Sequence, residues 1–241
     1  MATYNRADLI ENAINSVIDQ SFKDWELLIL DDMSSDNTEN VIKTFLTDSR
    51  IKYIKNDKNL GVSKNRNKGL KIALGKYIAI LDSDDVWTDR EKLQKQYSLL
   101  EQNPEIGLVG TFMIKKYLNN KKEKITYETD DNKIRNKMLF RNQFTHSSVL
   151  YKKNLVPDGY NESLKLAEDY DLFLRIGLIS KFSNIPDHSV EYLMSPNGES
   201  LKNKFKMATI VDKIISQYKK NYPHYHLASV KSAIRMIKAL F

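Results

Sequence analysis

The chain has 241 residues, of which 41% are hydrophobic and 29% are charged, and its net charge is +7. This composition is typical of a globular protein and excludes a disordered one, and no apolar run approaches the roughly 20 residues that span a bilayer. The absence of cysteine excludes disulfides and thiolate metal sites and agrees with a reducing cytoplasm. The positive charge favours anionic partners such as nucleotides, phosphates or acidic lipids.

Helices and strands alternate through the first half of the chain. A short polar segment at residues 2–6 leads into a helix whose apolar stripe runs from Leu9 to Ile18. Further helices are predicted at residues 37–46 and 64–74, and strands are predicted at residues 25–30, 51–54 and 77–81. The alternation predicts a mostly parallel, doubly wound α/β sheet, in which ligands bind at the carboxyl ends of the strands.

Acidic residues follow two of these strands. Asp32 closes the strand at residues 25–30, and Asp82, Asp84 and Asp85 close the strand at residues 77–81. Residues two apart in extended backbone point the same way, so Asp82 and Asp84 can face one spot, where a cation would relieve their repulsion. Oxygen ligands at such a place suit Mg²⁺ or Mn²⁺ shared with substrate phosphates. The alternative is ordinary turn and helix-capping chemistry, which is the commoner origin of such a run taken alone.

The second half of the chain is less regular. Strands are predicted at residues 106–111, 147–151 and 190–194, with a hairpin around residues 119–122 and a helix at residues 167–178. The first turn of that helix is acidic, which the helix dipole also favours. From residue 201 onward, two basic amphipathic helices separated near Pro223 are predicted. Such helices either dock on their own domain, which we favour, or lie on an anionic membrane.

Five stretches of the chain resemble motifs of the inverting family-2 glycosyltransferases, which have the GT-A fold. The stretches, in the family's order, are Thr3-Tyr-Asn-Arg6, Leu30-Asp-Asp-Met-Ser-Ser-Asp36 with Asn37-Thr38, Asn59-Leu-Gly-Val-Ser63 with Arg66-Asn67, Leu81-Asp-Ser-Asp-Asp85, and Glu168-Asp-Tyr-Asp-Leu-Phe-Leu-Arg175. Each motif is weak alone, but their order and spacing together are specific. The resemblance covers roughly the first 200 residues and implies a Rossmann-like, mostly parallel sheet flanked by helices, with a C-terminal amphipathic helical extension.

The resemblance implies a donor site built from matched positions. Ala2 and Tyr4 would hold the uracil and ribose end of a nucleotide-sugar, and Asp32 would accept a hydrogen bond from uracil. Arg66 would lie near the nucleotide or its diphosphate. Asp82, followed by Ser83 in the same site, would contact the ribose or a metal-bound water.

The same resemblance assigns the metal and the reaction chemistry. Asp84 would ligate the Mn²⁺ or Mg²⁺ that bridges the diphosphate, and Asp169 would be the general base. Glu168 and His146 are candidates for the acceptor site. Many relatives carry a histidine that helps to bind the metal where Ser195 stands here, so we predict no late metal ligand.

One departure from the family concerns the first strand. In the family an apolar strand precedes the Thr-Tyr-Asn-Arg segment, whereas only Met1 and Ala2 precede it here. We therefore expect the first strand to be missing or truncated. This departure keeps open a second interpretation, in which the chain is a nucleotide-binding module with impaired catalysis.

The resulting prediction is a metal-dependent inverting glycosyltransferase that moves a sugar, most simply from a UDP-sugar, to a hydroxyl acceptor during glycan or surface polysaccharide assembly. Residues 1–110 would bind the nucleotide-sugar, residues 111–200 would bind a glycan or lipid-linked saccharide acceptor and carry the base, and residues 201–241 would form the basic helices. We expect a cytoplasmic protein that binds no nucleic acid, with residues 201–241 as the part that could contact the inner face of the cell membrane. A metal-dependent nucleotidyltransferase is the nearest enzymatic alternative.

Overall fold

A computed structural model describes residues 1–194 and 202–239 of the chain. Its first sheet is wholly parallel and has the strand order β1-β2-β3. Its strands are β1 (Ala2–Thr3), β2 (Leu27–Asp31) and β3 (Ile51–Lys55). The helices that alternate with them and follow β3 are α1 (Ile10–Ile18), α2 (Thr38–Lys43) and α3 (Val62–Ile72). The alternating pattern of the sequence thus predicts these elements correctly, whereas the strand predicted at residues 77–81 lies in the second sheet.

The second sheet is mixed. Its strand order is β4-β8-β6-β9-β5, with β7 paired to β6, and only the long pairing between β6 and β9 is parallel. The strands are β4 (Tyr77–Ala79), β5 (Val86–Trp87), β6 (Ile106–Tyr117), β7 (Lys122–Ile125), β8 (Leu150–Lys152) and β9 (Lys181–Met194). The remaining helices are α4 (Lys92–Gln102), α5 (Asp131–Met138), α6 (Glu168–Gly177), α7 (Lys204–Gln217) and α8 (Tyr225–Lys238), with short 3-10 turns at His146–Ser148 and Lys153–Leu155.

Two elements depart from the sequence pattern. Strand β6 is continuous where two separate segments are predicted, and register shifts around Phe112 accommodate it against β9. The predicted division at residues 110/111 falls inside this strand, so both halves of the chain contribute to one sheet. Helix α5 is not predicted from its polar sequence, and Asp130 caps it by accepting hydrogen bonds from the backbone nitrogens of Asn132 and Lys133.

The first strand is two residues long. It pairs with Leu30 and Asp31 of β2, and the Met1 ammonium donates a hydrogen bond to the Leu28 carbonyl oxygen at 2.8 Å. Burial lowers the pKa of this ammonium to about 5. Beyond it a largely apolar cavity of about 760 Å³ lies between the edge strand β4 and the first sheet, with Leu28 and Ile78 in its wall.

The two C-terminal helices dock on the domain, as the favoured interpretation expects. Ile214 and Ile215 of α7 and Ala228 of α8 belong to the same buried core as α6. The Tyr218 hydroxyl donates a hydrogen bond of 2.8 Å to the Asp171 carboxylate, and the Tyr222 hydroxyl donates one to a carbonyl oxygen of α6. Across residues 1–194 and 202–239, no helix is both long and apolar enough to cross a membrane.

Candidate active site

Asp31, the last residue of β2, and Asp32, which follows it, contact different parts of the sheet edge. Asp31 is buried and accepts hydrogen bonds from the Ser34 backbone nitrogen at 2.8 Å and from the Tyr53 hydroxyl at 2.6 Å. Asp32 instead accepts three hydrogen bonds of 2.8 to 2.9 Å from the segment between β3 and α3, given by the backbone nitrogens of Leu60 and Gly61 and the side-chain amide of Asn56. The carboxylate predicted to receive uracil therefore also shapes the loop that leads into α3.

Arg66 joins three elements of the candidate site. Its Nη2 lies 2.7 Å from Asp82 Oδ1, and its Nη1 donates to the Glu168 carboxylate. Although burial acts in the opposite direction, Arg66 and then His146 lower the pKa of Asp82 well below its usual range. The sequence prediction placed Arg66 near the nucleotide or its diphosphate. The structure places it between two carboxylates, so it brings the loop after β4 and the first turn of α6 together.

His146 contacts Asp82, the carboxylate that also pairs with Arg66. Its Nδ1 is 3.3 Å from Asp82 Oδ2, and its Nε2 is 2.9 Å from the Tyr160 hydroxyl oxygen. The side chain is buried within the 3-10 turn before β8. The predicted acceptor-site histidine thus contacts the predicted donor-site carboxylate and has both ring nitrogens in use.

Asp84 faces solvent more than its neighbours do. Its Oδ2 lies 3.4 Å from Arg6 Nε, and its side chain is 29% exposed, whereas Ser83 before it is buried. Burial, followed by repulsion from Asp82, raises the pKa of Asp84. A divalent cation beside Asp84 would remove this repulsion. Oxygen ligands of this kind fit Mg²⁺ or Mn²⁺, which take one or two protein carboxylates together with substrate phosphates.

The protein alone does not enclose such a cation. In the described parts of the chain, no group of three or more His, Cys, Asp or Glu side chains could hold a metal ion. A metal at Asp84 would therefore need oxygen atoms from a bound diphosphate and from water to complete its coordination.

Asp85, the third carboxylate of the loop, has a structural environment. It is buried, accepts a hydrogen bond from the Ser147 hydroxyl, and accepts another from the Leu193 backbone nitrogen at 3.1 Å. Burial, then repulsion by Asp82 and Asp84, raises its pKa well above the usual value. These contacts fasten the acidic loop to the end of β9.

Asp169 lies in the first turn of α6, directly after the left-handed Ala167 and the Arg66 partner Glu168. Burial, followed by repulsion from Glu168, raises the pKa of Asp169, while His146 and Arg66 oppose the shift. Within the described residues no other side chain hydrogen-bonds to its carboxylate. The carboxylate is thus free to accept a proton, although its place in a helix first turn is also what the helix dipole favours.

Tyr192 of β9 marks where the acidic groups converge. Burial raises the pKa of its phenol, and Asp85, Asp82, Asp84 and Asp169 add to the shift in that order. One side chain therefore lies within electrostatic reach of both the acidic loop and the first turn of α6. The sequence reasoning missed Tyr192 because only the pairing of β9 with β6 and β5 brings it here.

The remaining predicted positions lie at the edge of this cluster. Ala2 is half-buried in β1, and Tyr4 is exposed just beyond the strand. Ser195 lies outside the described residues. Arg6, the partner of Asp84, was not predicted as a site residue, although it belongs to the Thr-Tyr-Asn-Arg motif at the end of β1. A second cavity, of about 950 Å³, lies at the opposite end of β4 and contains none of the predicted site residues.

Comparison with known proteins identifies the family. The family model described as "Glycosyl transferase family 2" matches residues 1–155. An uncharacterized glycosyltransferase of Methanocaldococcus jannaschii is 33% identical over 216 residues, which are 86% of this chain and 73% of that protein. The Escherichia coli protein UDP-Glc:alpha-D-GlcNAc-diphosphoundecaprenol beta-1,3-glucosyltransferase WfgD is 34% identical over 216 residues, which are 86% of this chain and 79% of that protein.

Solved structures share the fold. Staphylococcus aureus TarS 1-349 in complex with UDP-GlcNAc has a TM-score of 0.73 at 20% identity, covering 99% of this chain and 70% of that one. The mannosyltransferase PcManGT of Pyrobaculum calidifontis, in complex with GDP-Man and Mn²⁺, has a TM-score of 0.70 at 17% identity, covering 99% and 73%. The predicted GT-A fold is confirmed. On these matches the chain belongs to glycosyl transferase family 2 and is a glycosyltransferase.

Proposed function

We propose that the protein is a metal-dependent inverting glycosyltransferase that takes a sugar from a UDP-sugar and attaches it to a hydroxyl of a glycan or lipid-linked saccharide. The contacts of Arg66, which join Asp82 of the acidic loop to Glu168 beside Asp169 in the first turn of α6, carry the proposal. The relatives add support, since WfgD is named for UDP-Glc and a diphosphoundecaprenol acceptor, and TarS is solved with UDP-GlcNAc. A role in glycan assembly rests on the diphosphoundecaprenol acceptor in the name of WfgD.

The reaction is a displacement at the anomeric carbon. The acceptor oxygen forms a bond to that carbon, the bond to the nucleoside diphosphate oxygen breaks, and the leaving group keeps the electron pair. Asp169 takes the acceptor proton during the attack, and its raised pKa makes it a stronger base than an ordinary carboxylate. Attack from the side opposite the leaving group inverts the anomeric configuration.

Positioning falls to the groups around the base. The Arg66 guanidinium contacts Asp82 of the acidic loop and Glu168 of α6. These two contacts hold the donor-binding and acceptor-binding halves of the chain at a fixed separation. Asp84 would hold the divalent metal, which when bound offsets the negative charge that develops on the diphosphate. Arg6 beside Asp84 supplies a further positive charge at the same place.

A panel of nucleotide-sugars tests the proposal and separates it from the rival enzyme class. With Mn²⁺ and a preferred UDP-sugar we expect release of UDP, and chelation by EDTA should abolish it. Release of sugar 1-phosphate, with UMP transferred to the acceptor, would indicate attack on the α-phosphorus and a nucleotidyltransferase, for which the position of Asp169 gives no reason.

The metal site has its own test. We expect Asp84→Ala to weaken UDP-sugar binding in Mn²⁺ by about tenfold or more, measured by titration calorimetry with and without the metal. The control is Asp57→Ala, at an exposed aspartate in the segment after β3. Equal, metal-dependent binding by Asp84→Ala and the control would refute the assignment of Asp84.

The two-residue length of β1 keeps one alternative function open, a nucleotide-binding module with impaired transfer. In that case UDP would bind in the calorimeter, yet no UDP-sugar would be consumed with any acceptor. Donor turnover together with UDP binding would exclude this alternative.

A further inference from the structure

Helix α8 leaves a row of apolar side chains in solvent. Leu227, Val230, Ile234 and Ile237 are each between 49% and 65% exposed. Their spacing of three, four and three residues places them on one face of the helix. We call these four side chains the α8 stripe.

The α8 stripe is not the face that docks on the domain. Ala228 and Ser232 are buried, and Arg235 donates a hydrogen bond to the Phe140 carbonyl oxygen at 3.0 Å. At about 100° per residue, the middle of the stripe lies roughly opposite Ala228 and Ser232. Helix α8 therefore docks on the domain through one face and leaves an apolar face in solvent.

The positive charge of the protein is concentrated in the segment that contains α7 and α8. Nine of the 38 Lys and Arg residues but one of the 31 Asp and Glu residues lie in residues 202–239, so this segment carries +8 and the rest of the chain −1. Eight of the nine are lysines, all exposed. Within the described residues no salt bridge neutralises any of them, and Lys231 and Lys238 adjoin the stripe on the helix surface.

We propose that the α8 stripe, with Lys231 and Lys238 beside it, binds an anionic phospholipid surface, with α8 lying in the plane of the membrane. An apolar face beside lysines is the pattern of interfacial helices, and each Lys near an anionic leaflet strengthens attraction. A second copy of the chain fits the stripe less well, because each copy would bring a charge of +8 to the contact.

This surface is connected to the candidate active site. Tyr218 in the turn after α7 donates to Asp171 of α6, and α6 carries Asp169 in its first turn. Binding through α8 would thus hold the general base at a fixed height above the lipid headgroups. The docking itself is argued from exposure and charge and does not depend on the sugar-transfer reaction.

Vesicle co-sedimentation of the full chain tests the proposal. We expect binding to vesicles of phosphatidylcholine with phosphatidylglycerol, little binding to phosphatidylcholine alone, and release by salt. The double variant Val230→Ser/Ile234→Ser should bind at least about tenfold more weakly, because two apolar side chains no longer enter the interface. The matched control is Leu74→Ser/Ile179→Ser, which removes two exposed apolar side chains elsewhere and should bind as the parent does.

Three results would overturn the proposal. The first is no binding of the parent protein to the anionic vesicles, and the second is an equal loss of vesicle binding in the control variant. The third is a dimer, detected by light scattering, that Val230→Ser/Ile234→Ser dissociates, because such a dimer would show that the stripe binds a second copy of the chain. Equal urea midpoints of the two variants would show that both fold. UDP release is read separately without vesicles, so failure of the transferase proposal and failure of membrane docking are distinguishable.

Discussion

Replacing Arg66 by methionine perturbs the contact that unites the candidate site. Arg66→Met keeps an apolar stem but leaves Asp82 and Glu168 without their shared cation. The side chains of Arg66 and Glu168 are both 11% exposed and that of Asp82 is 25% exposed, so water screens these charges only partly. Breaking a buried ion pair destabilises by about 3–5 kcal/mol, and partial exposure of Asp82 reduces this to roughly 2–4 kcal/mol.

Urea unfolding followed by circular dichroism measures this loss. The control is Arg90→Met, at an exposed arginine that donates to the Asp19 carbonyl oxygen and should change the free energy of unfolding by less than about 1 kcal/mol. Equal, small losses in the two variants near neutral pH would refute the reasoning that Arg66 holds the site together.

The pH dependence gives a second readout for Arg66. In the parent protein Arg66 lowers the pKa of Asp82, so this group stabilises the fold above the unfolded pKa of about 3.9 and loses that effect as pH falls through the lower folded pKa. Without Arg66, protonation of Asp82 and Glu168 relieves their repulsion. The difference in unfolding free energy between the parent and Arg66→Met should therefore narrow as the pH falls toward 4, and a constant difference would contradict the account.

Two further changes act on other buried charges. Burial lowers the pKa of Lys92 to about 7, whereas in the unfolded chain this group stays protonated to higher pH, so the parent becomes more stable as the pH rises from 7 toward 10. Lys92→Met should remove this rise and increase the free energy of unfolding in urea near pH 7 by about 1–3 kcal/mol. A lower free energy of unfolding in this variant would contradict the prediction. Burial, followed by repulsion from Glu168, raises the pKa of Asp169, so Glu168→Gln should move the acidic limb of the pH–rate profile to lower pH. An unmoved limb would show that Glu168 does not influence the base.

The acidic loops were predictable because a simple rule places them. An apolar run that ends in carboxylates predicts a buried strand. Helices that alternate with parallel strands place the carboxyl ends of those strands at one edge of the sheet. Asp32 follows β2 of the parallel sheet as this rule requires, whereas Asp82 follows β4, an edge strand of the second sheet that pairs antiparallel with β8. The rule concerns the backbone and says nothing of which side chains meet.

The contacts inside the site were not predictable in this way. Arg66 and Glu168 are 102 positions apart, and nothing in either motif shows that they pair. From the sequence, Asp85 is likewise a candidate metal ligand, yet tertiary packing places it against Ser147 and the end of β9. The mixed second sheet has the same cause, since its short β8 and β5 are positioned by long-range pairing rather than by local pattern.

Single-turnover transfer by Asp169→Asn tests the central claim most directly. The matched control is Glu11→Gln, which also removes a carboxylate from a helix first turn but lies on the exposed face of α1. We predict that Asp169→Asn binds the UDP-sugar as the parent does and loses transfer by about 10²-fold or more, while Glu11→Gln transfers normally. Transfer by Asp169→Asn at the rate of Glu11→Gln would contradict the assignment of Asp169 as the base.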